Sequence, residues 1–153
     1  MLRNLFKTLA IIVAIGGTTG TLSSCATAPG PKVHNIVFHI DENDPNRMNL
    51  VLNNAANVDA FYKEAGEEVN IEIVAYGPGL MMLVDGKSPV QKRITSFGQN
   101  FDNISFMACG NTHKKMSKKA GKNIKLVSQA KMVPAGVVHL TQRDEEGWTY
   151  IRP

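Results

Sequence analysis

The chain has 153 residues, of which 43% are apolar and 20% charged, and this ordinary balance excludes a disordered or fibrous protein. Seventeen basic and thirteen acidic residues give a formal net charge of +4, which is too small to indicate nucleic-acid binding. The length allows one domain, and the two cysteines, Cys25 and Cys109, provide neither a disulfide framework nor a metal-type spacing.

Residues 1–24 have the pattern of a secretory signal. Arg3 and Lys7 precede a short apolar run, which is followed by small residues and is well below the roughly 20 residues of a membrane-spanning helix. The segment leads into the sequence LSSC, which ends at Cys25 and resembles the bacterial lipobox, where the cysteine is lipidated and becomes the mature N-terminus. We therefore predict a periplasmic lipoprotein held at a membrane by its lipid. Ordinary cleavage near residues 26–28, giving a soluble periplasmic protein, is the alternative.

Removal of this signal takes away two basic residues and no acidic one, which lowers the formal charge from +4 to +2. Residues 25–32 contain prolines and a glycine that are typical of a tether. The predicted domain is residues 33–153.

Strands and helices are predicted to alternate along the domain. Short apolar or β-branched runs predict strands, and apolar residues at three- and four-residue steps predict helices. The predicted strands are residues 33–40, 69–76, 103–108, 131–134 and 148–151. The predicted helices are residues 45–65, 89–98, 113–120 and 136–146, with no state assigned to residues 80–84. Such repeated crossovers predict an α/β domain with a mainly parallel sheet flanked by helices.

Two local signals set the predicted helix starts and ends. Asp44-Pro45 and Ser88-Pro89 each place a capping residue before a proline, and Gln91 is spaced for a capping box with Ser88. Gly66 and Gly98 are predicted to end the first two helices.

The carboxyl ends of parallel strands meet at one edge of a sheet, where ligands and reactive groups collect. Three strand ends in this chain carry such residues. The candidate pocket consists of His39, Asp41, Gly77, Pro78, Gly79, Gly110, Asn111, Thr112 and His113.

Cys109 is the candidate catalytic residue at this edge. It follows a buried strand and precedes a predicted helix start, where Asn111 or Thr112 is placed as the cap. Amides at a helix N-terminus stabilise a thiolate, and His113 and the lysines after it add positive charge. The pattern predicts a reactive thiol, with a small buried apolar residue at a strand end as the alternative.

Four segments together resemble the DsrE/DsrF-like family of small sulfur-handling proteins: AYGPG at residues 75–79, FMACGNT at 106–112, VPAGV at 133–137 and GWTYI at 147–151. The resemblance extends over residues 33–153. It implies a flavodoxin-like three-layer α/β domain that assembles into trimers or hexamers. It also implies that Cys109 carries sulfur as a persulfide between a donor and an acceptor protein. The export signal departs from the cytoplasmic members of the family, so their partners are not carried over.

The remaining candidates are weaker. The histidines His34, His39, His113 and His139 lack metal-site spacing, so no metal is predicted, and sulfur carriage needs no organic cofactor. His39 is either an acid–base group beside the thiol or a packing residue of the sheet. The Gly77-Pro78-Gly79 segment lacks a phosphate-loop pattern and is predicted to be a turn that lines the pocket.

A cluster of lysines follows Cys109. It is either a solvated helix face or a docking surface for an acidic partner or anionic lipid, and consists of Lys114, Lys115, Lys118, Lys119 and Lys122.

Three functions remain open at this point. The first is a sulfur carrier or sulfurtransferase-like protein that acts through a Cys109 persulfide. The second is a non-catalytic oligomeric module of the same fold that binds a ligand or partner. The third is a thiol redox sensor.

Overall fold

The computed structural model describes residues 30–153. The predicted signal, the Cys25 lipidation site and most of the predicted tether lie outside the described residues. Five strands form one parallel sheet in the order β4-β3-β2-β1-β5: β1 (Val33–Ile40), β2 (Glu68–Ala75), β3 (Ile104–Cys109), β4 (Ala130–Val133) and β5 (Thr149–Ile151). The helices are α1 (Pro45–Glu64), a 3₁₀ helix (Gly77–Leu83), α2 (Gln91–Asn100), α3 (Gly110–Ala120) and α4 (Gly136–Glu145).

This architecture confirms the predicted fold class, a three-layer α/β domain of flavodoxin-like type. The chain steps from β1 to β4 in one direction and then returns through α4 to place β5 on the other side of β1. No helix among residues 30–153 has both the length and the apolar character that crossing a bilayer requires.

One face of the sheet holds the main core. Alternate residues of the central strands, such as Phe38, Ile73 and Phe106, point to this face and are almost fully buried. The 3₁₀ helix accounts for the apolar segment that had no predicted state, since its Leu80 and Met82 are completely buried in the same core.

Local capping fixes the first helix but not the second. Asp44 accepts a hydrogen bond from the Asn46 amide, and Pro45 opens α1 as predicted. α2 begins two residues later than predicted, and its capping box is wrong. Gln91 accepts instead from the Gly86 amide and donates to Asp85.

Gly98 does not end α2, which continues to Asn100. The glycine is required by packing, because a Cβ atom at this position would come within 2.7 Å of Cγ of Gln129. The prediction failed because that neighbour lies far along the sequence.

The opposite face of the sheet has a much smaller core beneath α4. Val37, Val74, Met107 and Val133 form a buried cluster. Leu140 of α4 and the following Trp148 pack against it. Among residues 30–153, α4 is the one helix that packs on this face, so little apolar burial is available to hold it there.

A buried carboxylate compensates for the small core. Glu72 of β2 is 6% exposed, and both of its oxygens accept hydrogen bonds from Arg143 of α4, at 2.9 and 2.8 Å. His139 Nε2 lies 2.6 Å from the same carboxylate, and the Arg143 guanidinium stacks 4.6 Å above the Trp148 ring. Burial raises the pKa of Glu72, but the hydrogen bonds from Arg143 and His139 outweigh it and hold that pKa below its ordinary value. These contacts fix α4 to the centre of the sheet.

Glu72→Gln should lower the free energy of unfolding by about 2–4 kcal/mol near neutral pH, because it removes the buried charged partner of Arg143 and leaves that side chain only its exposed pair with Glu146. A carboxylate with a lowered folded-state pKa stabilises the fold above its unfolded pKa of about 4.3 and loses that effect as the pH falls through the folded value. Urea unfolding at several pH values should therefore show the difference between wild type and variant shrinking below about pH 4.

Glu68→Gln provides the matched control, since Glu68 is an exposed carboxylate at the start of the same strand. It should change stability by less than about 0.5 kcal/mol at any pH. A Glu72→Gln effect that is small or independent of pH would contradict this assignment.

Candidate functional site

Cys109 lies where two helices begin. It is the last residue of β3, and α3 starts at the next residue, so Cys109 itself is the N-cap. Its neighbour in the sheet is Val133, the last residue of β4, after which α4 starts at Gly136. Since adjacent parallel strands end at the same edge, the N-termini of both helices come to one thiol.

The predicted cap of α3 is wrong, because Asn111 and Thr112 lie inside its first turn. The Asn111 amide donates to the Pro134 carbonyl at 3.1 Å, which ties the start of α3 to the loop after β4. The lack of a side chain at Gly110 allows this close approach, since a Cβ atom there would lie 3.0 Å from the Val133 carbonyl oxygen. The chain therefore turns directly from strand into helix.

Several donors face the Cys109 thiol, which is 5% exposed. Burial alone raises the pKa of Cys109, but hydrogen bonds from the Thr112 hydroxyl and from the amides of Gly136, Thr112 and Asn111 bring it below its ordinary value. The Thr112 oxygen also accepts from the Gly77 amide at 3.0 Å, and its hydrogen remains available to donate to the sulfur. The arrangement stabilises a thiolate.

Tyr76 and Gly136 close over the thiol. A Cβ atom at Gly136 would lie 3.0 Å from Cβ of Tyr76 and 3.3 Å from Cβ of Cys109, so a larger residue there would push Tyr76 or Cys109 away from the start of α4. Burial raises the pKa of the Tyr76 hydroxyl, and the charge of Asp41 adds to that shift. A neutral aromatic ring therefore lies beside the thiol.

His39 lies two strands away from Cys109, roughly 10 Å across the sheet. Its ring stacks on Tyr76 with centroids 4.6 Å apart, and its Nδ1 lies 2.7 Å from the Tyr150 hydroxyl. Burial lowers the pKa of His39, although Asp41 opposes that shift, so the neutral imidazole is favoured near pH 7. Its contacts make His39 a support for Tyr76 in this structure.

The structure also places four other predicted pocket residues. Asp41 is at the same edge but pairs with Arg152 at 3.1 Å, and Gly79 packs beneath the Ile40 carbonyl, where a Cβ atom would be only 2.4 Å from the oxygen. Pro78 lines an open depression beside Thr112. His113 does not join the site around Cys109, because its Nε2 lies 2.7 Å from the Ile124 carbonyl oxygen.

The residues that sequence analysis missed come from neighbouring strands and helices. Gly136 and Tyr150 join the site only once the strand order is known. Within residues 30–153 no group of three or more His, Cys, Asp or Glu side chains is arranged to hold a metal ion. The chemistry that the site offers is thiolate chemistry.

Comparison with known proteins finds similarity to a solved structure. No protein-family model matches the chain, and no curated protein does. A solved structure is similar: a protein of unknown function, MTH1491, from Methanobacterium thermoautotrophicum. It is 35% identical in sequence with a TM-score of 0.65, and the match covers 78% of this chain and 99% of that one.

The alkylation rate of Cys109 should rise with pH at a midpoint below that of an unperturbed thiol. Thr112→Val should move this midpoint upward, because it removes the hydroxyl that donates to the sulfur. Thr112→Ser, which keeps the hydroxyl, should stay near wild type. Small alkylating reagents and a Cys25→Ser background make Cys109 the single thiol that is measured. Equal midpoints for the Val and Ser variants would contradict the assignment of Thr112.

Proposed function

The chain belongs to the same family as the Methanobacterium thermoautotrophicum protein MTH1491, and we propose that it is a sulfur carrier that holds a persulfide on Cys109. The observation that carries the proposal is the meeting of two helix N-termini and the Thr112 hydroxyl on one buried thiol. The sequence resemblance to the DsrE/DsrF-like family supports the same reading.

In the first step the Cys109 thiolate attacks the outer sulfur of a donor persulfide, R–S–SH. The new bond joins the Cys109 sulfur to that outer sulfur, the donor S–S bond breaks, and the donor leaves as the thiolate R–S⁻. With polysulfide as donor, the leaving group is a chain that is one sulfur shorter. The product is Cys109–S–SH, and the amides that stabilise the thiolate also stabilise its deprotonated form.

In the second step an acceptor thiolate attacks the outer sulfur of the persulfide. The acceptor becomes R′–S–SH, and Cys109 is released as a thiolate. No net oxidation occurs over the two steps, so the cycle needs neither an external oxidant nor a cofactor. Because Cys109 is 5% exposed, a small donor such as a polysulfide anion suits the resting domain best.

The wider proposal keeps the predictions made from the leading segment and from the family resemblance. The chain is exported to the periplasm and anchored by a lipid on Cys25. The domain works as a trimer or hexamer that exchanges sulfur with a donor or acceptor protein. Its sulfurtransferase-like activity depends on that acceptor.

Incubation with polysulfide should add one sulfur atom to the chain, measured by intact mass on a Cys25→Ser background. The gain should be absent from the Cys109→Ser variant and should be reversed by a reducing agent. If the wild type stays unmodified while its Cys109 still reacts with an alkylating reagent, sulfur carriage is wrong and the binding module takes its place. Reaction with peroxide but not with polysulfide would identify a redox sensor instead.

A further inference from the structure

The lysines after Cys109 have no part in the thiol chemistry, and they are arranged as a single surface. Lys114, Lys115, Lys118 and Lys119 lie on α3, and Lys122 follows just after its end. Steps of three and four residues place the four lysines of α3 on one side of the helix, and Lys122 comes just beyond the Gly121 that ends it. Within residues 30–153 none of them forms an ion pair, and α3 contains no acidic residue. We call this set the lysine face.

The charge of the domain is strongly uneven because of this face. Residues 30–153 contain fifteen basic and thirteen acidic residues, and five of the basic residues belong to the lysine face. The rest of the domain contains the other ten basic residues and all thirteen acidic residues, so its formal charge is −3. The positive field of the molecule is therefore concentrated along α3.

An apolar trough runs beside the lysine face, between α3 and the 3₁₀ helix. It consists of two depressions of about 370 and about 240 Å³, and both are lined by Met81 and Met116. One depression reaches Thr112 and Lys115, and the other reaches Lys122. On the far rim Asp85 pairs with Lys125 at 3.4 Å, which reduces its repulsion of an anionic occupant.

The trough is long enough for a short chain segment. α3 has eleven residues and is about 16 Å long, which matches about five residues of extended polypeptide. A flat membrane surface does not enter a concave trough, and its headgroups offer no side chains to the two methionines. The leading residues 1–29 have two basic residues and no acidic one, so they do not complement the lysine face.

We propose that the trough binds an extended, acidic segment of a partner protein, with an apolar side chain between Met81 and Met116 and carboxylates on the lysine face. Methionine side chains adapt to different apolar partners, and the lysines give the encounter its charge complementarity. The site ends at Thr112, beside the Cys109 thiol. Binding itself does not depend on sulfur transfer.

The test uses the full chain with Cys109→Ser and a display library of random peptides about nine residues long, enough to fill a trough of this length. Enriched peptides should combine aspartate or glutamate with an apolar residue. Fluorescence anisotropy should show binding about tenfold tighter in about 50 mM salt than in about 300 mM salt, because exposed charges are screened. The Cys109→Ser background makes the result independent of the proposed sulfur carriage.

Paired variants with the same change in charge make the test specific. Lys115→Glu with Lys119→Glu should weaken peptide binding by about tenfold or more, since both the field and the carboxylate partners are lost. Lys63→Glu with Lys92→Glu, two exposed lysines on α1 and α2, should leave it within about twofold. Met116→Gln, which keeps the charge and approximate size but removes the apolar contact, should also weaken binding and would show that the trough itself is occupied.

Three results would overturn the proposal. The first is a library that yields no acidic peptides, or peptides that bind both paired variants equally. The second is binding to phosphatidylglycerol vesicles that needs the lysine face while peptides do not bind, which would make it a membrane surface. The third is self-association in sedimentation that the Lys115→Glu, Lys119→Glu pair abolishes, which would make a second copy the occupant.

Discussion

The hydrogen bonds between Glu72 and α4 are the interaction on which the site depends. The sheet is covered unequally: three helices and the 3₁₀ helix lie over the main core, whereas α4 rests on four buried apolar residues. With so little apolar area beneath it, α4 takes its position from the Glu72 carboxylate, which Arg143 and His139 hold from the helix side. The first residue of α4 and the strand that follows the helix are positioned with it. The start of α4 brings Gly136 to Cys109, and β5 after it brings Tyr150 to His39, which in turn stacks on Tyr76.

The lowered pKa of the Cys109 thiol depends on the order of strands and helices more than on any single neighbouring residue. Cys109 and Val133 end adjacent parallel strands, and each strand is followed closely by a helix, so two sets of N-terminal amides point to one sulfur. Such amides are stabilising where negative charge forms, and burial keeps them from being screened. No positively charged side chain is needed in contact with the sulfur. That leaves the lysines of α3 directed outward, which separates the chemistry of the thiol from the recognition of a partner.

The sequence predicted those features that depend on neighbouring residues in the chain. The strands and their order of alternation with helices, the Asp44-Pro45 start of α1 and the placing of Cys109 before a helix all come from local patterns. Features that depend on distant contacts were missed or wrong. Gly98 is needed by Gln129, Gln91 turns to Asp85, and Gly136 reaches Cys109 only through the strand order. One signal was available: a glutamate within the apolar strand VNIEIVA is costly to bury and so demands a charged partner.

The most direct measurement is the thiol pKa of Cys109 in Glu72→Gln, followed by thiolate absorbance on the Cys25→Ser background. Glu72 lies on β2 and is not among the groups whose hydrogen bonds lower the pKa of Cys109. If the carboxylate holds α4 in place, the variant should stay folded and its thiol pKa should rise, because the Gly136 amide is no longer held at the sulfur. Glu68→Gln should leave the value unchanged. A thiol pKa equal to that of the wild type, in a variant that is measurably less stable, would contradict the account.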